Sequence, residues 1–201
     1  MLQDRGIIAG NVTDKYNSRN PLVRWMMRGF LAAVGECYRA SAAETVLEVG
    51  CGEGELLRRL AELQPARFVG TDYSPLILQD ARRRQARLAL AAQSAMQLGF
   101  APRSFELVVA CEVLEHLPNP QAALLELARV SRRYVLLSVP REPLWCALNV
   151  ARGAYWRAWG NTPGHLQHWS QASFVREVER VLRVRRVLAP LPWTVVLAEV
   201  R

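Results

Sequence analysis

Three glycines at alternate positions, Gly50, Gly52 and Gly54, follow an apolar stretch that contains Glu48. A chain that turns tightly from strand to helix needs dihedrals that glycine adopts easily, and the missing Cβ lets a ligand lie against N–H groups at the helix start. Asp72 ends a second short apolar stretch about 20 residues further on, where an acid can meet the ribose hydroxyls of an adenosine cofactor. These residues predict a nucleotide-type cofactor site.

The spacing of the glycines separates two classes of cofactor. A dinucleotide fingerprint, G-x-G-x-x-G, needs a glycine where Glu55 stands. The stretch instead resembles the first motif of the class I S-adenosylmethionine-dependent methyltransferases, E/D-x-G-x-G-x-G, with Glu48 at the acidic position. The cofactor of that family carries an ammonium and a sulfonium, and acidic residues suit these charges better than they suit a pyrophosphate.

Two later segments extend the resemblance. Ser94–Phe100 is similar to the family's D-A-x-x-L-P-F segment, with Ser94 in place of the acid that binds the adenine amine and Gly99 in place of the proline. Val113–His116 matches the V-L-E-H motif that follows the fourth strand of the family's sheet. The resemblance therefore implies binding of S-adenosyl-L-methionine by Glu48, Gly50, Cys51, Gly52, Gly54, Asp72, Tyr73, Ser94, Ala95, Met96, Cys111 and Glu112.

The three histidines are the candidate catalytic residues: His116, His165 and His168. The unperturbed pKa of histidine lies near neutral pH, so each could remove a proton from an acceptor hydroxyl. A structural role for His116, orienting its loop by hydrogen bonding, is an open alternative. His165 and His168 are three residues apart, but the sequence offers no third ligand at a plausible spacing, so we expect no metal site.

The methyl acceptor is expected to lie against an aromatic segment, Pro140–Gly164, and the residues that follow it. A long loop in a compact domain is usually functional, and family members build the acceptor pocket at this point. Candidate acceptor contacts are Trp145 and Trp169, with Tyr16 and its neighbour Lys15 as part of an N-terminal lid. The alternatives are a helix over Leu144–Trp156 that packs its rings on the core, and an exposed N-terminal lead-in.

Strand and helix patterns alternate along most of the chain. Such alternation predicts a parallel sheet with helices on both faces, and two C-terminal strands joined by prolines predict an antiparallel hairpin. The fold class expected is a single Rossmann-like α/β domain with a mostly parallel seven-stranded sheet. Its regions are an N-terminal helical lid (1–44), the cofactor core (45–139), an acceptor-side insertion (140–170) and a C-terminal helix with strands (171–201). Details include a strand over Arg87–Ala91 and a short loop at Ser131–Arg133.

Length and composition indicate the number of domains, the cell compartment and the state of the cysteines. The 201 residues are 51% hydrophobic and 22% charged, as expected for one globular domain. No apolar run reaches the roughly 20 residues that cross a bilayer, and the N-terminus lacks the pattern of a signal peptide, so we expect a cytoplasmic protein. The four cysteines form no C-x-x-C pair and are expected to be reduced.

The net charge of +8 comes almost entirely from arginine. The cluster Arg82–Arg87 could contact nucleic acid or anionic lipid, or could be a solvated helix end. The sequence thus predicts a methyltransferase, monomeric or homodimeric, that acts on a small-molecule or lipid-like acceptor by O-methylation. The alternatives are an RNA methyltransferase, a non-catalytic fold relative that binds a partner, and, as the weakest, a nicotinamide dehydrogenase.

Overall fold

The computed structural model of the protein describes residues 2–4, 7–9, 15–85, 88–151, 155 and 158–201. The strands are β1 (Leu2–Asp4), β2 (Ile7–Ala9), β3 (Thr45–Val49), β4 (Arg67–Asp72), β5 (Ala89–Ala92), β6 (Phe105–Cys111), β7 (Ser131–Pro140), β8 (Arg183–Leu188) and β9 (Trp193–Glu199). The helices are α1 (Pro21–Ser41), α2 (Glu55–Leu63), α3 (Pro75–Arg84), α4 (Pro120–Val130), α5 (Leu144–Ala151) and α6 (Gln171–Glu179), and a 3-10 turn covers Leu114–His116.

The main sheet has seven strands in the order β5-β4-β3-β6-β7-β9-β8. The first five of these pair in parallel, and β9 pairs antiparallel with both β7 and β8. The strand order reverses at β3, where β4 lies on one side and β6 on the other, and ligands of open α/β sheets bind at such a point. This arrangement confirms the predicted fold class. The short hairpin of β1 and β2 is separate from this sheet and was not predicted.

Alternating residues along the central strands face two different apolar layers. On β6, Leu107 and Val109 pack with α1 residues, including Phe30, while Val108 packs with α4 and α6 residues, including Leu124. All five side chains are almost fully buried. The period of two therefore requires helices on both faces of the sheet, and they are present there.

Polar residues at the helix starts set the helix boundaries. Asn20 caps α1, and its side chain accepts hydrogen bonds from the N–H groups of Leu22 and Val23. The Ser74 hydroxyl caps α3, and the Ser170 hydroxyl caps α6, each by accepting an N–H three residues ahead. Both serine caps agree with the sequence pattern.

Several boundaries differ from expectation. The strand predicted over Arg87–Ala91 is β5, which begins two residues later, and Arg87 itself lies outside the described residues. The predicted loop at Ser131–Arg133 is wrong, because these residues form the start of β7 directly after α4 ends. There the Ser131 hydroxyl donates to Tyr134 O (2.8 Å), and Ser131 pairs with Phe105. Hydrogen bonding to β6 thus extends the strand through a polar stretch.

The aromatic segment after β7 contains a helix shorter than the one considered from sequence. Helix α5 ends at Ala151, and Trp156 lies outside the described residues. No helix among the described parts of the chain is long and apolar enough to cross a membrane.

Candidate functional site

The turn after β3 is held to the end of β4 by its own backbone. The N–H groups of Gly50 and Cys51 both donate to Thr71 O, at 2.7 and 2.9 Å. Gly50, Gly52 and Gly54 have φ angles of 75, 52 and 76°, in the left-handed region that side chains disfavour. A Cβ at Gly50 would lie 2.4 Å from Val113 Cγ2, whereas a Cβ at Gly52 would meet nothing within 4 Å. Gly50 is therefore required by packing, and Gly52 borders open space that can take a ligand.

Asp72 is tied to both sides of this turn. Its Oδ2 accepts the Gly52 N–H and its Oδ1 accepts the Ser74 N–H, both at 2.9 Å. Burial raises the pKa of Asp72, while these backbone donors lower it. A carboxylate oxygen has more than one lone pair, so Asp72 can still accept from ribose hydroxyls at the end of β4. The neighbouring Tyr73 is exposed at the same edge.

Glu48 is a buried acid below the turn. Its residue is 3% exposed, and its Oε2 has no hydrogen-bond partner among the described residues. Burial raises its pKa well above the usual value, a hydrogen bond from the Leu57 N–H opposes this, and the charge of Asp72 adds to it. An unsatisfied buried carboxylate is costly. A cationic ligand group would relieve that cost, so this site fits a positively charged cofactor.

The segment after β5 forms a tight polar turn. The Ser94 hydroxyl accepts the Met96 N–H at 3.2 Å, and Ser94 O accepts the Gln97 N–H at 3.0 Å. Ala95 and Met96 are partly buried against the core. The Gln93 N–H donates to Asp72 O at 2.9 Å, which brings this turn to the acid at the end of β4.

Cys111 ends β6, and Glu112 directly follows it. Burial raises the pKa of Cys111 and also that of Cys51, so both are thiols at neutral pH. Glu112 has a φ of 61°, unusual for a side-chain-bearing residue and often found at functional sites. Its Oε2 accepts the Trp193 Nε1–H at 2.7 Å and lies 3.6 Å from Lys15 Nζ. The sequence did not identify Trp193, because 81 residues separate it from Glu112.

The N-terminal lid candidates reach this edge of the sheet. Tyr16 packs partly buried against the core, and the Arg59 guanidinium lies 5.5 Å from its ring centroid. Burial and the charges of Glu48, Cys111 and Glu112 raise the Tyr16 pKa well above its usual value. Tyr16 is therefore close to the cofactor candidates. Asp14, part of the same polar cluster in the sequence, lies outside the described residues.

Two of the three histidines lie together. The ring centroids of His116 and His165 are 5.0 Å apart, and His165 stacks on Trp145 at 6.2 Å and 28°. His116 Nδ1 lies 2.9 Å from Gly164 O, so this nitrogen donates and Nε2 keeps its lone pair. The orienting role considered for His116 thus has a partner, Gly164.

The environment of His165 makes it a poor proton acceptor. Burial lowers its pKa to about 3, with further lowering by the charges of His116, His168 and Lys15. His165 is therefore neutral at physiological pH. An imidazole with so low a pKa does not hold an acceptor proton, which argues against His165 as a general base.

His168 and Trp169 face elsewhere. His168 Nδ1 lies 3.6 Å from Glu142 Oε1. Trp169 packs on Phe174, with 5.5 Å between ring centroids, as part of the core around α6. Trp145 packs instead against the apolar layer that contains Phe30, and its Nε1–H donates to Thr162 Oγ1 at 2.9 Å. The structure therefore separates Trp145 from Trp169, although the sequence grouped them.

Glu115 joins the two clustered histidines and was not identified from sequence as a site residue. It is 1% exposed, and neither carboxylate oxygen has a hydrogen-bond partner in the described parts of the chain. One ligand atom from each of Glu115, His116 and His165 lies within 4.8 Å of the others. The fold thus brings together three groups that could hold a metal ion, which the spacing of His165 and His168 in the sequence did not reveal.

Two arginines of the α3 cluster make contacts within the protein, and Arg87 lies outside the described residues. The Arg82 guanidinium donates to Leu90 O at 2.9 Å, and Arg84 pairs with Asp80 at 2.6 Å. These contacts favour a structural role for both arginines over a free nucleic-acid surface.

Comparison with known proteins places this site in a family. Residues 47–138 match a family model described as a methyltransferase domain. The chain is similar to the O-methyltransferase resE of Aspergillus sclerotiorum, at 31% identity over 105 residues, or 49% of this chain and 40% of that protein. It is also similar to the methyltransferase GfsG of Streptomyces halstedii, at 35% identity over 98 residues, or 46% of this chain and 35% of that protein. The matched segment thus spans less than half the length of either relative.

The fold of one solved structure matches this chain over a longer stretch than the sequence relatives do. The N-methyltransferase NodS from Bradyrhizobium japonicum WM9, in complex with S-adenosyl-L-homocysteine, matches with a TM-score of 0.70 at 19% identity, over 94% of this chain and 93% of that chain. At this identity the likeness shows the fold. The matched segment contains the glycine turn, Asp72 and Glu112, so the cofactor candidates after β3, β4 and β6 lie in the part of the chain that matches a methyltransferase domain.

Proposed function

We propose that the protein methylates a hydroxyl oxygen of a small-molecule or lipid-like acceptor. The family's cofactor supplies a methyl group on a positively charged sulfur. In this chain Gly52 and Asp72 would hold the nucleoside, and the Glu48 carboxylate, whose Oε2 has no hydrogen-bond partner among the described residues, would attract the cationic end. The residues beside Glu112 would position the acceptor.

One feature carries the acceptor side of the proposal, namely the aromatic wall next to Glu112. Trp145 lies 5.8 Å from Trp193 and 6.2 Å from His165, between ring centroids. Trp193 in turn donates to Glu112 at the end of β6. Flat rings of this kind bury an apolar or aromatic acceptor, while the imidazole lone pair of His116 can accept its hydroxyl hydrogen.

The relative from Aspergillus sclerotiorum carries the name of an O-methyltransferase, which supports oxygen as the methylated atom. Methyl transfer from a sulfonium is an in-line displacement, so the main contributions of the protein are to align the acceptor and to exclude water. The lid candidates Lys15 and Tyr16 lie where they would close over such an acceptor, since Lys15 pairs with Glu112.

The test is transfer of labelled methyl from the cofactor into a cell extract that is then separated into small-molecule, lipid and RNA fractions. We expect label in the small-molecule or lipid fraction, with the methyl on oxygen. Gly52→Val should abolish transfer because its side chain fills the space that the ligand needs. Label confined to RNA, or no transfer with any acceptor, would refute the proposal.

Two tryptophan variants test acceptor binding independently of cofactor binding. Trp145→Ala should raise the acceptor KM by roughly tenfold or more, as expected when a buried aromatic contact is lost. Its affinity for S-adenosyl-L-homocysteine should stay unchanged. Trp25→Ala is the matched control, because Trp25 is 51% exposed on α1. Equal KM values for the two variants would contradict the assignment of the pocket wall.

A further inference from the structure

We propose that Glu115, His116 and His165 form a binding site for one divalent first-row transition-metal ion, at the acceptor side of the cleft. The binding itself is independent of the proposed function. Only the role of the ion in methyl transfer rests on that function.

Glu115 is the residue whose surroundings most need an explanation. Its residue is 1% exposed, yet both carboxylate oxygens lack a hydrogen-bond partner within the described residues. Buried carboxylates are normally paired, hydrogen-bonded or bound to a metal. Its backbone oxygen is fully used, since it accepts the N–H groups of Leu166 and Gln167 at 2.7 and 3.0 Å. The side chain alone is therefore left for a ligand.

The same two hydrogen bonds bring the second histidine to Glu115. They fix the chain just after His165 to the turn that carries Glu115 and His116. As a result, ligand atoms from the three residues lie within 4.8 Å of one another. Ligands about 2.1 Å from a metal in tetrahedral geometry are about 3.4 Å apart, so small side-chain rotations would complete the site.

The hydrogen bonding of His116 suits a metal ligand. Its Nδ1 donates to Gly164 O at 2.9 Å, which leaves the Nε2 lone pair free. Metal-binding histidines commonly donate their other nitrogen to a carbonyl or carboxylate in this way, which fixes the ring and its tautomer. Trp145, stacked on His165, restrains the second ring.

The donor set indicates the kind of metal. Two imidazoles and one carboxylate suit Zn²⁺, Fe²⁺, Co²⁺ or Ni²⁺ better than Ca²⁺ or Mg²⁺, which prefer oxygen ligands. Three protein ligands also leave a coordination position open, as in catalytic metal sites. Lys15 forms its ion pair with Glu112 and not with Glu115. An acceptor oxygen could occupy the open position, and the ion would then activate the hydroxyl in place of the His116 lone pair, which it uses as a ligand.

The experiment measures Co²⁺ and Zn²⁺ binding to untagged, chelator-treated protein by visible absorption and calorimetry. We expect one ion per chain and a Co²⁺ spectrum with ligand-field bands of a four- or five-coordinate site. His116→Asn is the first variant, because His116 is exposed and its replacement is least disturbing to the fold. Glu115→Gln and His165→Asn follow. Each should bind at least about tenfold more weakly.

His168→Asn is the matched control, since His168 lies against Glu142 and outside the three-residue set. It should keep wild-type stoichiometry and affinity. Less than one ion per chain in the wild type, or equal affinities in the wild type and all three ligand variants, would overturn the proposal. Binding of S-adenosyl-L-homocysteine is measured on the same samples. If the wild type binds S-adenosyl-L-homocysteine but no metal, only the metal site is refuted. If the wild type does not bind S-adenosyl-L-homocysteine, the proposed function is refuted.

Discussion

At the scale of single residues, two buried carboxylates with unsatisfied oxygens mark the candidate site. Glu48 and Glu115 are both almost fully buried, and both have side-chain oxygens without a hydrogen bond among the described residues. Burial raises both pKa values well above the usual range, and the charge of Glu112 adds to that of Glu115. A buried carboxylate of this kind lowers the free energy of unfolding when no ligand is bound, and it favours the binding of a cation.

Glu48→Gln tests this at the cofactor side. Losing a charge-assisted contact should weaken binding of S-adenosyl-L-homocysteine by roughly 10- to 100-fold, since such a contact contributes about 1.5–3 kcal/mol. Wild-type affinity should fall as the pH drops through the raised pKa, because the protonated acid no longer attracts the ligand's ammonium. The variant should lack this dependence. Calorimetry from pH 6 to 9 measures both effects.

Glu48→Gln weakens ligand binding, but without ligand it should make the folded protein more stable than the wild type at high pH. A carboxyl whose pKa is raised by folding stabilises the folded state at low pH and loses that contribution as the pH rises through the raised value. The unliganded Glu48→Gln variant should therefore gain stability relative to wild type with increasing pH in thermal melts. A constant difference between the two proteins across the pH range would contradict this.

At the scale of elements, the central strands hold the site by burying both faces. Leu136 lies in the middle of β7, paired with Val109 on β6 and Leu197 on β9, and is fully buried in the layer under α1. Its neighbours β6 and β9 carry Glu112 and Trp193 near the cleft. Packing of this strand thus supports two residues of the proposed acceptor wall at once.

Leu136→Ala should lower the free energy of unfolding by about 2–5 kcal/mol, the range for a buried leucine that leaves a cavity. Urea denaturation measures it. Leu125→Ala on α4 is the control, because Leu125 is 55% exposed and should change stability by only about 0.5 kcal/mol or less. Equal destabilisation by both changes would show that this layer does not carry the core.

At the scale of the whole molecule, the cleft is assembled from distant parts of the chain. The turn after β3, the ends of β4 and β6, Lys15 near the N-terminus and Trp193 near the C-terminus meet at one edge of the sheet. A ligand that touches these parts binds only the folded protein, so binding and folding are linked.

S-adenosyl-L-homocysteine at 100 times its Kd should therefore add about 2.7 kcal/mol to the free energy of unfolding. For a chain of this length that corresponds to a rise in Tm of roughly 5–11 °C. Differential scanning calorimetry with and without ligand measures the shift. Gly52→Val should show no shift under the same conditions, and a shift equal to that of the wild type would contradict the placement of the ligand against the turn.

The sequence by itself determined the fold class and the strand-to-helix turn that carries the cofactor candidates. The glycine spacing, Asp72 and the alternation of strands with helices are local patterns, because turn dihedrals and the burial of a strand depend on neighbouring residues. The sheet and the resemblance to a methyltransferase domain followed from them. The extended start of β7 at Ser131 was missed because pairing with β6 overrides the weak strand preference of a polar stretch.

The acceptor half was decided by tertiary structure. Trp193 with Glu112, and Glu115 with His165, are contacts between residues far apart in the chain, and no sequence spacing encodes them. His168 and Trp169 follow His165 closely in sequence, but His168 lies against Glu142 and Trp169 packs on Phe174. Successive side chains of a strand point to opposite faces of the sheet. Which residues meet at the site therefore depends on how the strands and the loops after them are assembled.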